Sequence, residues 1–73
     1  MTGEQAKREF SRRLAALMER RGLTPLGVSL LVYGETSHAQ AVRMWLGGQS
    51  SPTLVTLCRL RRALNCTYDE LLP

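Results

Sequence analysis

Apolar residues recur along the chain at helical spacing, and the stretches between them carry the residues that start and stop helices. Ala6, Phe10, Leu14, Leu17 and Met18 fall on one helical face, while Lys7, Arg8, Arg12, Glu19 and Arg20 lie mainly off it. This pattern predicts a first helix that follows a short polar arm at 1–4 and stops at Gly22, a residue suited to a left-handed cap.

The stretch "LTPLGVSLLVY" opens a second helix, with Thr24 as N-cap and Pro25 at its first position. Val28, Leu31 and Val32 supply its inward face, Gly27 and Ser29 are small, and Gly34 ends it. Ser37 and Gln40 have the spacing of a capping box, so a third helix is expected from His38 to about Leu46, with Val42, Trp45 and Leu46 inward. Gly47 and Gly48 terminate it. In "SSPTLVTLCRLRRAL", Ser51 is expected to cap and Pro52 to open a fourth helix whose buried stripe is Leu54, Leu57, Leu60 and Leu64. Asn65 stops it, and "TYDE", Thr67 to Glu70, is a second capping box that opens a short turn burying Tyr68, Leu71 and Leu72. The expected fold is all-α, a compact five-helix domain spanning 1–73.

With 73 residues and 44% hydrophobic content, the chain supports one small domain and leaves little room for a deep enzyme cleft. Aromatic residues are only 5%, so the core must be built from Leu, Val, Ala and Met. Ten cations against six acids give a net charge of +4, and nine of the ten are Arg, the side chain suited to forked contacts with phosphate or guanine. Cys58 and Cys66 are isolated, with no second pair and no His in spacing for a zinc site, so both read as reduced thiols and no metal or cofactor is expected. No apolar run has the length of a membrane span and "MTGEQAKREF" has no signal-peptide core, which sets the expectation of a cytoplasmic protein. An enzyme is disfavoured: the acids are not paired by spacing, His38 has no Ser or Cys partner at a nucleophile elbow, and there is no Gly-rich phosphate loop.

From Phe10 to Leu72 the chain resembles the lambda-repressor and Cro-like helix-turn-helix domains of the XRE family. "FSRRLAALMERRGLT" looks like that family's first helix and its entry into the second, and "SPTLVTLCRLRRALNCTYDELL" looks like its fourth and fifth helices. The centre departs from the pattern: the segment from Leu23 to Trp45 is longer by about three residues, with "YGETS" where a tight glycine turn is usual, and Pro25 stands where many members carry Gln.

The resemblance implies a lambda-repressor-like fold and a sequence-specific transcriptional regulator, of phage or mobile-element repressor type, that binds double-stranded DNA as a homodimer. Its half-sites would lie about 34–36 Å apart. The third helix would enter the major groove, with base-reading positions at Ala39, Gln40 and Arg43, and His38 at the helix start within reach of a base or a phosphate. Gln40 can pair with adenine, Arg43 with guanine, and Ala39 can pack on a thymine methyl. Each has a plainer reading: Gln40 as half of a capping box, Arg43 as a solvated helix residue, Ala39 as a helix former. Phosphate contacts would map to Thr24, Gly48, Gln49, Ser50 and Ser51, the glycine admitting a close backbone approach and Ser51 with Pro52 setting a helix N-terminus beside it. Trp45 is expected in the core, and Leu71 and Leu72 are candidate dimer contacts. The sequence assigns no role to Arg61 or to the arginines of the first helix, and no small-molecule ligand is expected.

Two other classes fit parts of the same sequence. A protein-binding module, antitoxin-like or adaptor-like, is consistent with the altered central turn and the missing Gln. Membrane binding by the first helix fits Phe10 to Met18, although a helical bundle needs that same face for its core.

Overall fold

A computed structural model describes all residues from Met1 to Pro73 and contains five α-helices and no strand. They are α1 (Gly3–Arg20), α2 (Pro25–Tyr33), α3 (Ala39–Leu46), α4 (Leu54–Leu64) and α5 (Tyr68–Leu71). The expected all-α class and the number and order of helices are those observed. No helix is long and apolar enough to cross a membrane.

Local sequence explains where each helix begins. The N-terminal residues do not form an arm. The Thr2 hydroxyl accepts from the Gln5 N–H at 3.1 Å, and the Gln5 side chain accepts from the Thr2 N–H at 2.9 Å, so a capping box starts α1 at Gly3. Thr24 caps α2 by accepting from Gly27 N–H, with Pro25 at the first position as expected. The box at Thr67 and Glu70 also forms, with both reciprocal bonds present.

Two caps differ from expectation. Ser37 and Gln40 form no capping box. α3 starts after His38, which makes no side-chain cap bond of its own. Its backbone N–H instead donates to the Ser29 hydroxyl on α2 at 3.1 Å, and that hydroxyl donates to the Glu35 carbonyl at 2.6 Å. The long link between α2 and α3 is thus tied by a tertiary bond where a short turn would be tied by a local one. At α4 the cap is Thr53, accepting from Thr56 N–H, and not Ser51. Ser51 and Pro52 both lie before the helix, in the loop that leads into it.

The core is Phe10, Leu14, Leu17 and Met18 of α1, Val28 and Val32 of α2, Val42 and Trp45 of α3, Leu60 and Leu64 of α4, with Cys66 and Leu71 closing it. α3 packs on both α1 and α2, α2 on α4, and α5 on α1. Leu31, expected inward, is half exposed, because Ser29 takes the inward place beside Val28 and Val32. Leu54 is exposed because it opens α4 beyond the core, and Tyr68, expected buried, is exposed, with the Arg61 guanidinium 5.1 Å from its ring centroid.

α5 has only four residues, and α1 holds it. Arg13 donates to the carbonyls of Asp69, at 2.8 Å, and of Leu72, while Arg20 pairs with Glu70 at 3.3 Å and Arg21 donates to the Asn65 carbonyl at 3.0 Å. Arg13 and Arg20 of α1 and Arg21 just beyond its end therefore bind elsewhere within the fold. Arg61 does too, linking the end of α4 to Cys66 and Tyr68.

Candidate nucleic-acid interface

α3 is eight residues long with a sharp division of faces. Ala39, Val42 and Trp45 are buried; Gln40, Arg43, Met44 and Gly47 follow at spacings of three, four and seven along its open side. Such positions stack in one row down a helix. A row of one amide, one guanidinium and one flexible apolar side chain offers hydrogen-bond donors, acceptors and a soft contact with almost no charge to solvate.

The structure sorts the expected reading residues. Gln40 and Arg43 lie exposed on this row, and Gln40 is free of the capping role considered for it. Ala39 is only 4% exposed, packed beneath the helix start, and its methyl cannot reach a partner. Met44 holds the exposed apolar place that Ala39 was expected to fill, and the i, i+4 step from Gln40 was the sequence signal for it. The His38 ring is engaged inside the molecule. It stacks on Tyr33 with centroids 3.9 Å apart, and its Nε2 lies 3.1 Å from Glu35 Oε1.

Beyond α3 the chain makes a tight reversal. Gly48 has φ +72°, the left-handed conformation that glycine adopts without a Cβ penalty. The N–H groups of Gly47, Gly48 and Gln49 donate to the carbonyls of Arg43, Trp45 and Met44 respectively. The glycine amides are therefore committed to ending the helix, which corrects the expectation that Gly48 offers its backbone to a phosphate. The N–H and hydroxyl groups of Ser50 and Ser51 make no bond within the chain, so they, with the Gln49 side chain, are free donors in this loop. Gln49 folds back toward Gly47, its side-chain oxygen 3.7 Å from where a Gly47 Cβ would stand, which sets it at the end of the Gln40 row. Thr24 is exposed; its hydroxyl accepts from the Gly27 N–H and keeps its own O–H free to donate.

The charge distribution sharpens this picture. Residues 36–68 contain Arg43, Arg59, Arg61 and Arg62 and no acid at all; the rest of the chain holds six cations and six acids. The whole net charge of +4 thus belongs to α3, α4 and the loop between them. Within α1 the balance is settled locally. Glu9 accepts from Arg12 and Arg13, and these bonds, Arg12's first, hold its carboxyl down to about 2. Lys7 pairs with Glu4 at 3.3 Å. Only Arg8, Arg43, Arg59 and Arg62 have side chains with no hydrogen-bond partner in the molecule.

Leu71, a candidate dimer contact, is fully buried under α1 and cannot meet a second chain; Leu72 is half-buried against the core. Apolar side chains that do face outward include Leu26, Leu30 and Leu31 on α2 and Leu54 and Val55 on α4, besides Met44 on α3. Compared with known protein families, curated proteins and solved structures, the chain matches none.

Proposed function

We propose that the chain is a sequence-specific double-stranded DNA-binding regulator with a lambda-repressor-like helix-turn-helix fold, in which α3 enters the major groove. The observation that carries this reading is the exposed row Gln40, Arg43 and Met44 on a short helix, within a segment that has four cations and no acid. A groove about 12 Å wide admits one helix, and amide and guanidinium are the two side-chain groups that bind adenine and guanine bidentately. Binding as a homodimer to paired half-sites, and repression of the phage or mobile-element type, belong to the same proposal.

Selection of bound fragments from a random duplex pool tests it. The expected result is an enriched motif with two-fold symmetry. Arg43→Ala then weakens binding to that motif by about 1–3 kcal/mol and relaxes preference at one base pair. Equal affinity of the wild type for the enriched duplex and a scrambled one, across a salt series, would overturn it.

A second reading, an antitoxin-like or adaptor-like protein-binding module, is favoured by α2. That helix carries no charged residue, and Leu26, Leu30 and Leu31 are each 50–54% exposed on it. Exposed apolar groups clustered on one uncharged element are a feature of protein interfaces. Leu26→Lys with Leu30→Lys separates the readings: duplex affinity that survives the pair supports DNA binding through α3, whereas loss of a co-purifying protein partner supports the module.

A further inference from the structure

We propose that Arg8, on a helix distant in sequence from the reading helix, is a phosphate-binding residue of the DNA interface, seated there by Gly48. This rests on the DNA-binding reading above and adds to it a contact that the sequence does not indicate.

Arg8 differs from every other cation of α1. Lys7 is bound to Glu4, Arg12 and Arg13 to Glu9, and Arg20 to Glu70, while the Arg8 side chain is exposed and has no partner. Its position is fixed from below. The Arg8 Cγ lies 3.7 Å from where a Cβ on Gly48 would stand, and the Ser11 hydroxyl lies 3.6 Å from the same point. Ser11 is buried and donates to the Trp45 carbonyl at 2.5 Å, so this part of α1 is fastened to the last turn of α3. Arg8 therefore emerges beside the loop that follows the reading helix.

The donor inventory of that loop explains why a cation is needed there. The amides of Gly47, Gly48 and Gln49 close the end of α3, which leaves only neutral donors there, among them the N–H and hydroxyl groups of Ser50 and Ser51 and the Gln49 side chain. Neutral donors make weaker bonds to a phosphate than charged ones and release no counterion. The loop itself has no Lys or Arg between Arg43 and Arg59. Arg8 supplies the missing charge from across the fold, and its planar fork suits two oxygens of one phosphodiester.

The test is the salt dependence of binding to a short mixed-sequence duplex, since a phosphate contact acts on any sequence. Fluorescence anisotropy is followed for the wild type, Arg8→Gln, Arg8→Lys and Arg20→Gln from about 50 to 200 mM salt. Arg20 sits at the other end of the same helix, about 18 Å away at 1.5 Å per residue, and controls for simple loss of net charge. The expected result is that Arg8→Gln flattens the log–log salt slope by about 0.9. The wild type then loses about threefold more affinity than the variant over that range. Arg8→Lys keeps the slope, and Arg20→Gln leaves it at the wild-type value. A slope unchanged by Arg8→Gln in a wild type that binds duplex overturns the Arg8 contact and leaves the DNA reading standing. Equal flattening by Arg8→Gln and Arg20→Gln also overturns the contact, and absence of duplex binding by the wild type at every salt overturns both. Unaltered Trp45 fluorescence in the variants verifies that the fold is intact.

Discussion

The backbone N–H of His38, at the threshold of α3, donates to the hydroxyl of Ser29 in the middle of α2. Because that hydroxyl also donates to the Glu35 carbonyl, one fully buried oxygen holds both ends of the link between the two helices. The start of α3 is thus set by a residue nine positions earlier.

Ser29→Ala removes both bonds and leaves a carbonyl and an amide without their partner. The expected cost is about 1–3 kcal/mol, the penalty for unsatisfied polar groups of this kind. Chemical denaturation measures it, and hydrogen exchange at the His38 and Ala39 amides locates it. Ser37→Ala, at the residue that sequence pattern alone would make the cap, should change stability by a few tenths of a kcal/mol at most.

Two glycines should respond in opposite directions. Gly27 has ordinary helical geometry, and a Cβ there would meet only Leu23 Cδ2 at 3.5 Å and Thr24 Oγ1 at 3.6 Å, both normal contacts. Gly27→Ala is expected to stabilise by about 0.5–1 kcal/mol. Gly48→Ala is expected to destabilise by about 1–2 kcal/mol, since φ is +72° there. Thermal melts of the two variants, compared at a single pH, check both signs.

Acid stability should depend on Glu9. The Arg12 and Arg13 hydrogen bonds lower its folded-state value from about 4.5 to about 2, so the ionised form is favoured by folding. A depressed carboxylate contributes stability that is fully present above its unfolded value and lost as pH falls through the folded one. Stability should therefore decline from about pH 4.5 toward pH 2. Glu70, lowered chiefly by the Thr67 backbone N–H and then by Arg20, acts in the same sense. Glu9→Gln should flatten the decline in a urea-denaturation series over that window.

The two thiols should differ in reactivity. Cys58 is partly exposed and accepts from the Tyr68 hydroxyl at 3.1 Å, whereas Cys66 is buried, and that burial raises its thiol above the ordinary value. Iodoacetamide at pH 8 should label Cys58 first and Cys66 only at the rate of opening. Mass spectrometry of timed quenches reads the order, and equal labelling of the native protein would contradict it.

Helix number, order and most of the core were legible because their signals are local. Phe10, Leu14, Leu17 and Met18 repeat on one face, and Thr24, Gly34, Asn65 and Thr67 punctuate by side-chain or backbone chemistry that needs no tertiary partner. What escaped the sequence depends on contacts between helices. Ser37 has the spacing of a cap, but Ser29 is the group that the fold brings to His38. Ala39 and Met44 are both apolar neighbours of Gln40, and only packing against α1 and α2 determines which one is covered. Leu71 looked available near the end of the chain, but α1 covers it. The α1 arginines are ambiguous for the same reason, since their partners Asp69, Glu70, Leu72 and Asn65 lie more than forty residues away.

The docking of α5 on α1 also bears on how the protein forms. Leu71 completes a core that begins at Phe10, and Arg13 grips carbonyls at 69 and 72. During synthesis, α1 gains α3 as a partner once residue 46 has emerged, but the part of its apolar face that takes Leu71 stays open until nearly the whole domain has left the ribosome. Until then that part is open to chaperones, and folding is an event of the finished domain and not of its growing end.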